Sequence, residues 1–355
     1  MKKLFFSILL FSIFFKISGV HALDSSASSI VMDLDSGRIL YQKNANEKRL
    51  IASITKILTA IVTLENSDIN QEVEIGDEIL KMYGTNIYIE VGEKIKIKDL
   101  LYGLLLRSGN DASIALANSV TNSEEEFVKL MNKKAQELGM KNSTFANPHG
   151  LDEDTKNYST AYDMALLSKY AYKNKTYRKI SATKKYVTKT KNKTYLWYNR
   201  NKLLNNYKYT TGGKNGYTPS AGKTLVTTAT KNNLNLTIVT LDDPNEYETH
   251  ENFYESYFSE YKNYTIIDKD NFSIDKSFYS GNPYIKESFI YPLTEEEVDD
   301  IKTEVHITNK NSTKNKIGTI SIKLNGKLIG EIAIYNKAKE KEEKSFFLKL
   351  KSLFL

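Results

Sequence analysis

The chain has 355 residues, a net charge of +7 and no cysteine. The absence of cysteine excludes disulfides, thiolate nucleophiles and sulfur-bound metals, and basic residues dispersed along the chain argue against a nucleic-acid-binding surface. The histidines lack metal-ligand spacing, so we expect neither a metal nor another cofactor; they are His21, His149, His250 and His306.

The first 22 residues have the character of a secretory signal peptide. Lys2 and Lys3 precede an apolar run over 4–15, and small residues around Ala22 fit a cleavage site after it. Lys16 interrupts the apolar stretch, and because about 20 apolar residues are needed to span a bilayer, an uncleaved anchor is the less favoured alternative. We therefore expect export of a mature chain that begins at residue 23.

The mature chain is long enough for two domains, since about 333 residues exceed one ordinary core. A hairpin is predicted over 29–41. Apolar residues then recur at helical spacing in the segments 54–64, 100–106, 114–120, 124–138 and 162–172. Short strands are indicated at 195–197, 225–229 and 236–241. A helical middle flanked by strands predicts an α+β fold, with one sheet built from sequence-distant segments and helices packed against it.

Residues 263–336 are predicted to form a small all-β domain. Alternating apolar residues over 317–324 lead into Asn325-Gly326 and continue beyond it, which is the strongest short-range signal for a hairpin. After a charged linker, five apolar residues between Phe346 and Phe354 fall on one side of a helical wheel. Residues 337–355 are thus expected to attach to the membrane surface, with a last helix docked on the protein as the alternative.

The first of three motifs that could carry chemistry is Ser53-Ile54-Thr55-Lys56. Ser-x-x-Lys occurs five times in the chain, but only this copy opens a strongly apolar helix. Residues three apart share a helix face, so the Lys56 amine can reach the Ser53 hydroxyl, and a desolvated lysine near a second cation can act as a base. The alternative is that Ser53 merely caps the helix.

The second and third motifs lie further along the chain. Ser108-Gly109-Asn110 follows a buried apolar run and would place two short polar side chains at the rim of a core; a helix C-cap with Gly109 in the left-handed conformation is the alternative.

The third motif surrounds Lys214, where neighbouring glycines fit close approach of a ligand or of another backbone segment. Lys214 could hold an anion beside backbone N–H groups of an oxyanion site, or it could be a solvated lysine in a glycine-rich loop.

The order of the motifs is more specific than any one of them. Ser-x-x-Lys, Ser-x-Asn 55 residues later and Lys-x-Gly a further 106 residues on resemble the signature of the penicillin-binding serine acyltransferases. The segments 51–59, 99–112, 147–152 and 159–165 look like those of the low-molecular-mass D-alanyl-D-alanine carboxypeptidases, serine peptidases of the S11 type. The resemblance covers nearly the whole mature chain. It implies a β-lactamase/transpeptidase-like domain over 23–262, with an antiparallel sheet and helices on both faces, before the β-domain.

The resemblance also implies an extracytoplasmic enzyme that removes the terminal D-alanine from peptidoglycan stem peptides and that β-lactams acylate. Ser53 would attack the carbonyl between two D-alanines, and Lys56 would be the general base. Ser108 and Lys214 would relay a proton to the leaving amine. Asn110 would position the base and the substrate amide.

Three neighbouring residues would line the substrate and oxyanion site: Asn215, Gly216 and Tyr217. The backbone N–H groups of Ser53 and Tyr217 would be the oxyanion donors. Asn215 departs from the family pattern, which usually has a threonine that helps to bind the substrate's terminal carboxylate. An asparagine amide can also donate to a carboxylate, so activity is expected to survive.

Other functions remain open at the level of sequence. A β-lactamase needs a carboxylate base to hydrolyse the acyl-enzyme, and residues 142–147 contain no acid. A D,D-endopeptidase or transpeptidase would differ only in cleft shape and acceptor. A protein that binds penicillin or peptidoglycan without turnover is kept open by Asn215. His149 is expected to fix a turn, and Asp152 and Asp163 to be caps or packing groups.

Overall fold

The structure, a computed structural model, describes residues 24–279, 281–308 and 316–337. The expected signal peptide and all but the first residue of the expected linker and tail lie outside these ranges. The described chain divides into two compact units. The first comprises the described residues up to Val31 with Leu40–Ala229 and Thr237–Tyr257; the second comprises Met32–Ile39, Thr230–Leu236 and the described residues from Phe258 onward.

Five helices overlap the segments where the apolar periodicity predicted them, and the last three, between residues 175 and 260, were not predicted. In the described ranges they are α1 (Lys56–Asn66), α2 (Ile97–Tyr102), α3 (Asn110–Thr121), α4 (Glu124–Glu137), α5 (Ala161–Lys173), α6 (Lys175–Ser181), α7 (Leu203–Asn206) and α8 (Glu246–Glu260). Two of them differ from the expected regular helices. A 3-10 turn, Ala52–Thr55, precedes α1, and α2 continues into a π-helical turn, Gly103–Arg107.

The strands come from both ends of the predicted 23–262 domain and from the C-terminal region. They are β1 (Ser28–Asp33), β2 (Ile39–Lys43), β3 (Arg49–Leu50), β4 (Glu72–Glu74), β5 (Lys94–Lys96), β6 (Tyr158–Ser159), β7 (Lys185–Lys189), β8 (Thr194–Tyr198), β9 (Thr210–Thr218), β10 (Gly222–Lys231), β11 (Leu234–Leu241), β12 (Lys262–Ile267), β13 (Pro283–Tyr284), β14 (Phe289–Leu293), β15 (Ile301–Ile307), β16 (Lys316–Leu324) and β17 (Lys327–Asn336). Five of them form one sheet in the order β2-β1-β11-β10-β9. This order confirms the prediction of one sheet built from distant segments.

Helices cover both faces of the five-stranded sheet. Thr237 Oγ1 lies 2.8 Å from Ser168 Oγ on α5, whereas Thr240 Oγ1 lies 3.1 Å from His250 Nε2 on α8. Successive side chains of a strand alternate between faces, so Thr237 and Thr240, three residues apart on β11, point in opposite directions. The α+β class predicted from the sequence is therefore confirmed.

The C-terminal region is a small all-β unit, also as predicted. Its larger sheet has the order β13-β17-β16-β15, and β12 pairs with β14. Asn325 and Gly326 have φ angles of 49° and 76°, as a tight turn between paired strands requires. Strand β16 buries its alternate side chains, with Ile320 and Ile322 at 1% and 0% exposed. No helix in the described part of the chain has the length and apolarity needed to cross a bilayer.

Candidate active site

Ser53 lies in the 3-10 turn immediately before α1, and Lys56 is the first residue of the helix. Buried apolar residues anchor this segment: Ile54, Ile57 and Leu58 are all 0% exposed. Neither the turn nor α1 has a side-chain cap hydrogen bond, so the alternative of Ser53 as a plain N-cap is not supported. Ala52, directly before it, has a left-handed φ of 47°, a backbone strain that tends to occur at functional sites.

The Lys56 amine is completely buried and surrounded by polar atoms. Its Nζ lies 3.0 Å from Ser53 Oγ, 2.8 Å from Asn110 Oδ1 and 2.6 Å from the carbonyl oxygen of His149. Burial lowers the pKa of Lys56 well below its usual range, and the charge of Lys214 lowers it further. A neutral amine is consequently favoured next to the Ser53 hydroxyl.

The Ser-x-Asn motif forms the turn between α2 and α3. Ser108, which is 6% exposed, ends the π-helical turn with a left-handed φ of 66°. Gly109 has a φ of −58°, so the alternative that placed the left-handed residue at Gly109 is wrong. The Asn110 amide is held from both sides, since Nδ2 donates to the Tyr83 carbonyl at 2.7 Å and Oδ1 accepts from Lys56.

Lys214 lies in the interior of β9 and is 1% exposed, so the alternative of a solvated lysine in a loop is wrong. Its Nζ donates to the carbonyl oxygen of Asn215 at 2.5 Å. Burial lowers the pKa of Lys214 to about 7, and the Arg200 guanidinium acts in the same direction. Within the described residues Lys214 makes no direct hydrogen bond to Ser53 or Ser108.

Strand β9 packs its backbone against the turn that carries Ser53. A Cβ atom on Gly216 would lie 2.8 Å from the Ser53 backbone nitrogen and 2.6 Å from Thr224 Oγ1, so only glycine fits. Thr224 Oγ1 donates in turn to the Ile51 carbonyl at 3.0 Å, which ties β10 to the same turn. Tyr217 follows Gly216 with its side chain 65% exposed.

Three further side chains that the sequence singled out have structural partners. His149 Nδ1 accepts from the Leu151 N–H at 3.1 Å, and burial lowers the pKa of His149 to about 3, so its ring stays neutral. Asp152 accepts from Thr218 Oγ1 at 2.6 Å. Asp163 accepts from the Asn142 N–H and the Ser143 hydroxyl, both at 2.8 Å. These contacts agree with the turn and packing roles expected for them.

Sequence reasoning missed two charged residues beside the site. Asp111 accepts backbone N–H bonds from residues 87, 88, 89 and 112 and thereby fixes the segment around Ile87 against α3. The position of Asp111 directly after the Ser-x-Asn motif could have identified it from the sequence. Arg200 influences both buried lysines electrostatically, yet no motif points to it. Across the described ranges no three His, Asp or Glu side chains are grouped to hold a metal ion.

Comparisons with known proteins agree with this geometry. Residues 18–245 match the D-alanyl-D-alanine carboxypeptidase family, and residues 261–342 match the C-terminal domain of penicillin-binding protein 5. The D-alanyl-D-alanine carboxypeptidase DacF of Bacillus subtilis is 32% identical over 90% of this chain and 87% of its own length. DacC of Escherichia coli, also a D-alanyl-D-alanine carboxypeptidase, is 31% identical over 84% of this chain and 80% of its own length.

A solved structure extends the similarity to the fold. Penicillin-binding protein 5 from Haemophilus influenzae superposes with a TM-score of 0.75 over 88% of this chain and 97% of its own, at 24% identity. The similarity thus includes both the sheet with its helices and the C-terminal β-unit. Because the sequence match extends over most of the chain and the fold agrees with it, this chain belongs to the D-alanyl-D-alanine carboxypeptidase family, peptidase family S11.

Proposed function

We propose that the chain is a serine-type D-alanyl-D-alanine carboxypeptidase that removes the terminal D-alanine from peptidoglycan stem peptides through an acyl-enzyme on Ser53. The observation that carries this proposal is the arrangement of acceptors around the buried amine of Lys56. β-Lactams would acylate the same hydroxyl because they present a reactive amide in place of the substrate's last peptide bond.

The two carbonyl oxygens next to Lys56 decide where its lone pair points. Asn110 Oδ1 and the His149 carbonyl oxygen can only accept hydrogen bonds, and they lie 2.8 and 2.6 Å from Nζ. A neutral amine has two N–H groups, and both are used by these acceptors. Its lone pair is left for the third neighbour, the Ser53 hydroxyl at 3.0 Å. Lys56 is therefore oriented to take the proton of Ser53 as a general base.

Acylation then follows from this geometry. Ser53 Oγ attacks the carbonyl carbon of the penultimate D-alanine while its proton passes to Lys56 Nζ. The resulting oxyanion would be stabilised by the backbone N–H groups of Ser53 and Tyr217, each such donor typically contributing about 3 kcal/mol to lowering the barrier. The close approach of β9 to the Ser53 nitrogen at Gly216 supports this assignment.

Collapse of the tetrahedral intermediate breaks the bond to the leaving amine, which needs a proton. Lys214 is suited to supply it, since a pKa of about 7 keeps both protonation states populated near neutral pH. Ser108 would be the hydroxyl of this relay, and substrate or water would bridge it to Lys214. Asn110 would position the base and the substrate amide, and Asn215 would donate to the substrate's terminal carboxylate. Water finally attacks the Ser53 ester and releases the shortened peptide.

The same proposal assigns a role to each part of the chain. Residues 1–22 would direct export, residues 23–262 would carry the peptidase, and residues 263–336 would form the β-domain. Residues 337–355 would hold the enzyme at the outer membrane surface through their amphipathic character. Deleting residues 345–355 should then move the protein from the membrane fraction to the soluble fraction, and unchanged fractionation would contradict the anchor.

The catalytic assignment is tested by comparing two serines that share the Ser-x-x-Lys pattern. Ser53→Ala should abolish both labelling by a fluorescent penicillin and release of D-alanine from a diacyl-D-alanyl-D-alanine peptide. Ser220→Ala removes an exposed serine of the same pattern and should leave both signals intact. Residual labelling of the Ser53 variant would refute the nucleophile. Labelling of the wild type without D-alanine release would favour a binding protein, and rapid loss of label would favour a β-lactamase.

A further inference from the structure

A cavity of about 210 Å³ lies beside the segments that hold Lys56 and Asn110. Two residues of its wall also serve the active site through their backbone. The Tyr83 carbonyl accepts from Asn110 Nδ2 at 2.7 Å, and the His149 carbonyl accepts from Lys56 Nζ at 2.6 Å. Pockets for drug-sized ligands typically measure about 300–1,000 Å³, so this cavity has the size for one side chain rather than for a whole ligand.

The His149 ring presents an unused hydrogen-bond donor to this cavity. The residue is 7% exposed, its Nδ1 accepts from the Leu151 N–H, and burial lowers its pKa to about 3. A neutral imidazole that accepts at one nitrogen carries its proton at the other, so Nε2 is a donor. Within the described residues Nε2 makes no hydrogen bond, since Glu124 Oε1 lies 3.7 Å away. Leaving a buried donor unpaired costs free energy, so an acceptor from outside the protein is expected there.

Negative charge exceeds positive charge at the cavity. Lys81 Nζ and Glu124 Oε2 form an ion pair at 2.8 Å, and their charges compensate each other. Asp154 also lines the cavity, and in the described part of the chain its carboxylate takes part in no hydrogen bond or ion pair. One positive and two negative side chains therefore leave a net charge of −1. A free carboxylate beside a neutral N–H donor suits a ligand group that combines an ammonium with a carboxyl oxygen.

The cavity lies on the path expected for the substrate. In the proposed reaction the terminal carboxylate lies at Asn215 and the oxyanion at the Tyr217 N–H, so the preceding part of the stem peptide continues beyond Tyr217. The next residue of β9, Thr218, donates to Asp152 Oδ2 at 2.6 Å. This contact joins the end of β9 to residues 151–155, two of which line the cavity wall at its acidic side. The residue that precedes the two D-alanines therefore passes beside this wall.

We propose that the cavity binds the side chain of the diamino acid that precedes the two D-alanines in the stem peptide. Its terminal ammonium pairs with Asp154, and a carboxyl oxygen on the same carbon accepts from His149 Nε2. Lys81 offsets the charge of Glu124 toward this carboxyl group. The inference rests on the proposed carboxypeptidase function and names its substrate class. Stem peptides with meso-diaminopimelate are preferred to those with L-lysine, whose side chain has an ammonium but no carboxyl group.

The test measures kcat/KM for release of D-alanine from three peptides that differ only in the side chain before D-alanyl-D-alanine: meso-diaminopimelate, L-lysine and Nε-acetyl-L-lysine. In the wild type the lysine peptide should exceed the acetylated one about two- to fivefold, because an ion pair with an exposed carboxylate is weak. The diaminopimelate peptide should exceed the lysine peptide by about a further fivefold, as one added hydrogen bond provides.

Asp154→Asn should bring the ratio between the lysine and acetyllysine peptides close to one, because the ammonium loses its counter-charge. Glu125→Gln is the matched control. Glu125 is exposed beside Glu124 on α4 and pairs with Lys129 at 3.1 Å, and its removal should keep the wild-type ratio. Equal kcat/KM for these two peptides in the wild type, or an unchanged ratio in Asp154→Asn, would overturn the inference.

The donor of His149 is tested by a pair of variants. His149→Phe keeps a ring and removes the donor, so diaminopimelate should lose its advantage over lysine, whereas His149→Gln keeps an N–H group and should retain part of it. Labelling by fluorescent penicillin shows that a variant still has an intact site; if His149→Phe is not labelled, the ratio in Asp154→Asn decides. No advantage of diaminopimelate in the wild type would also overturn the inference. Failure to release D-alanine from all three peptides would instead count against the proposed function.

Discussion

Replacing Lys214 with methionine should stabilise the folded protein at neutral pH while removing catalytic turnover. Lys214 is 1% exposed, and burial lowers its pKa to about 7, whereas a lysine in the unfolded chain titrates at about 10.4. Between these values the unfolded state binds more protons than the folded state, so stability rises with pH through this window. Methionine has a similar length, carries no charge and does not titrate.

The magnitude follows from the separation of the two pKa values. At about 1.4 kcal/mol per unit, the titration of Lys214 reduces stability by about 4 kcal/mol at pH 7 and by about 2 kcal/mol at pH 9. The variant also loses the hydrogen bond to the Asn215 carbonyl, which contributes about 1 kcal/mol at either pH. Lys214→Met should therefore be more stable than the wild type by about 3 kcal/mol at pH 7 and by about 1 kcal/mol at pH 9.

Urea unfolding at the two pH values measures this difference. Trp197, the single tryptophan, lies in the same compact unit as Lys214, so its fluorescence follows the relevant transition. Lys189→Met, which replaces an exposed lysine on β7, is the control and should track the wild type. If the advantage of Lys214→Met were equal at pH 7 and pH 9, the lysine would not be buried with a lowered pKa and the reasoning would be refuted.

Three other substitutions test the supports of the site. Gly216→Ala should slow acylation by fluorescent penicillin at least tenfold, because its Cβ would lie 2.8 Å from the Ser53 nitrogen. In Gly92→Ala the Cβ meets nothing within 4 Å but the φ of +80° is strained for alanine, so this control should lose some stability and still acylate normally. Asp111→Asn should lower the free energy of unfolding by about 2 kcal/mol, since fewer acceptors remain for four backbone N–H groups, and an unchanged urea midpoint would argue against this. His149→Gln should leave the acid limb of kcat/KM in place, because the pKa of His149 is about 3, and a shifted limb would indicate that the imidazole titrates in the reaction.

The elements of the fold were predictable where burial imposes a period on the sequence. Strand β16 and the Asn325-Gly326 turn follow from alternation and turn chemistry alone. The segment predicted as a helix from residue 54 instead begins with the 3-10 turn Ala52–Thr55, and the helix expected over 100–106 ends in a π-helical turn. Apolar spacing does not distinguish these helix types, because neighbouring elements decide which carbonyl each N–H reaches.

The residues of the candidate site likewise divide into those that sequence motifs predict and those that only the folded structure reveals. Local motifs identify Ser53, Lys56 and the Ser108-Gly109-Asn110 turn, since the proposed nucleophile and its proposed base need a fixed spacing on one helical turn. The Arg200 guanidinium lowers the pKa of Lys56 and Lys214 from a distant segment of the chain. A charge acts over distances that the spacing of residues in the sequence does not reveal. The contact of Arg200 with Thr85 exists only because the fold brings those segments together.

The sequence by itself determined the class of fold, the order of the motifs and the set of candidate reacting groups, because side-chain chemistry and apolar periodicity are local properties. The tertiary structure decided the burial and the surroundings of those groups. Lys56 and Lys214 have lowered pKa values because helices and strands from distant parts of the chain exclude water from them. The direction of the Lys56 lone pair likewise depends on carbonyl oxygens of residues 110 and 149, which only folding places beside it.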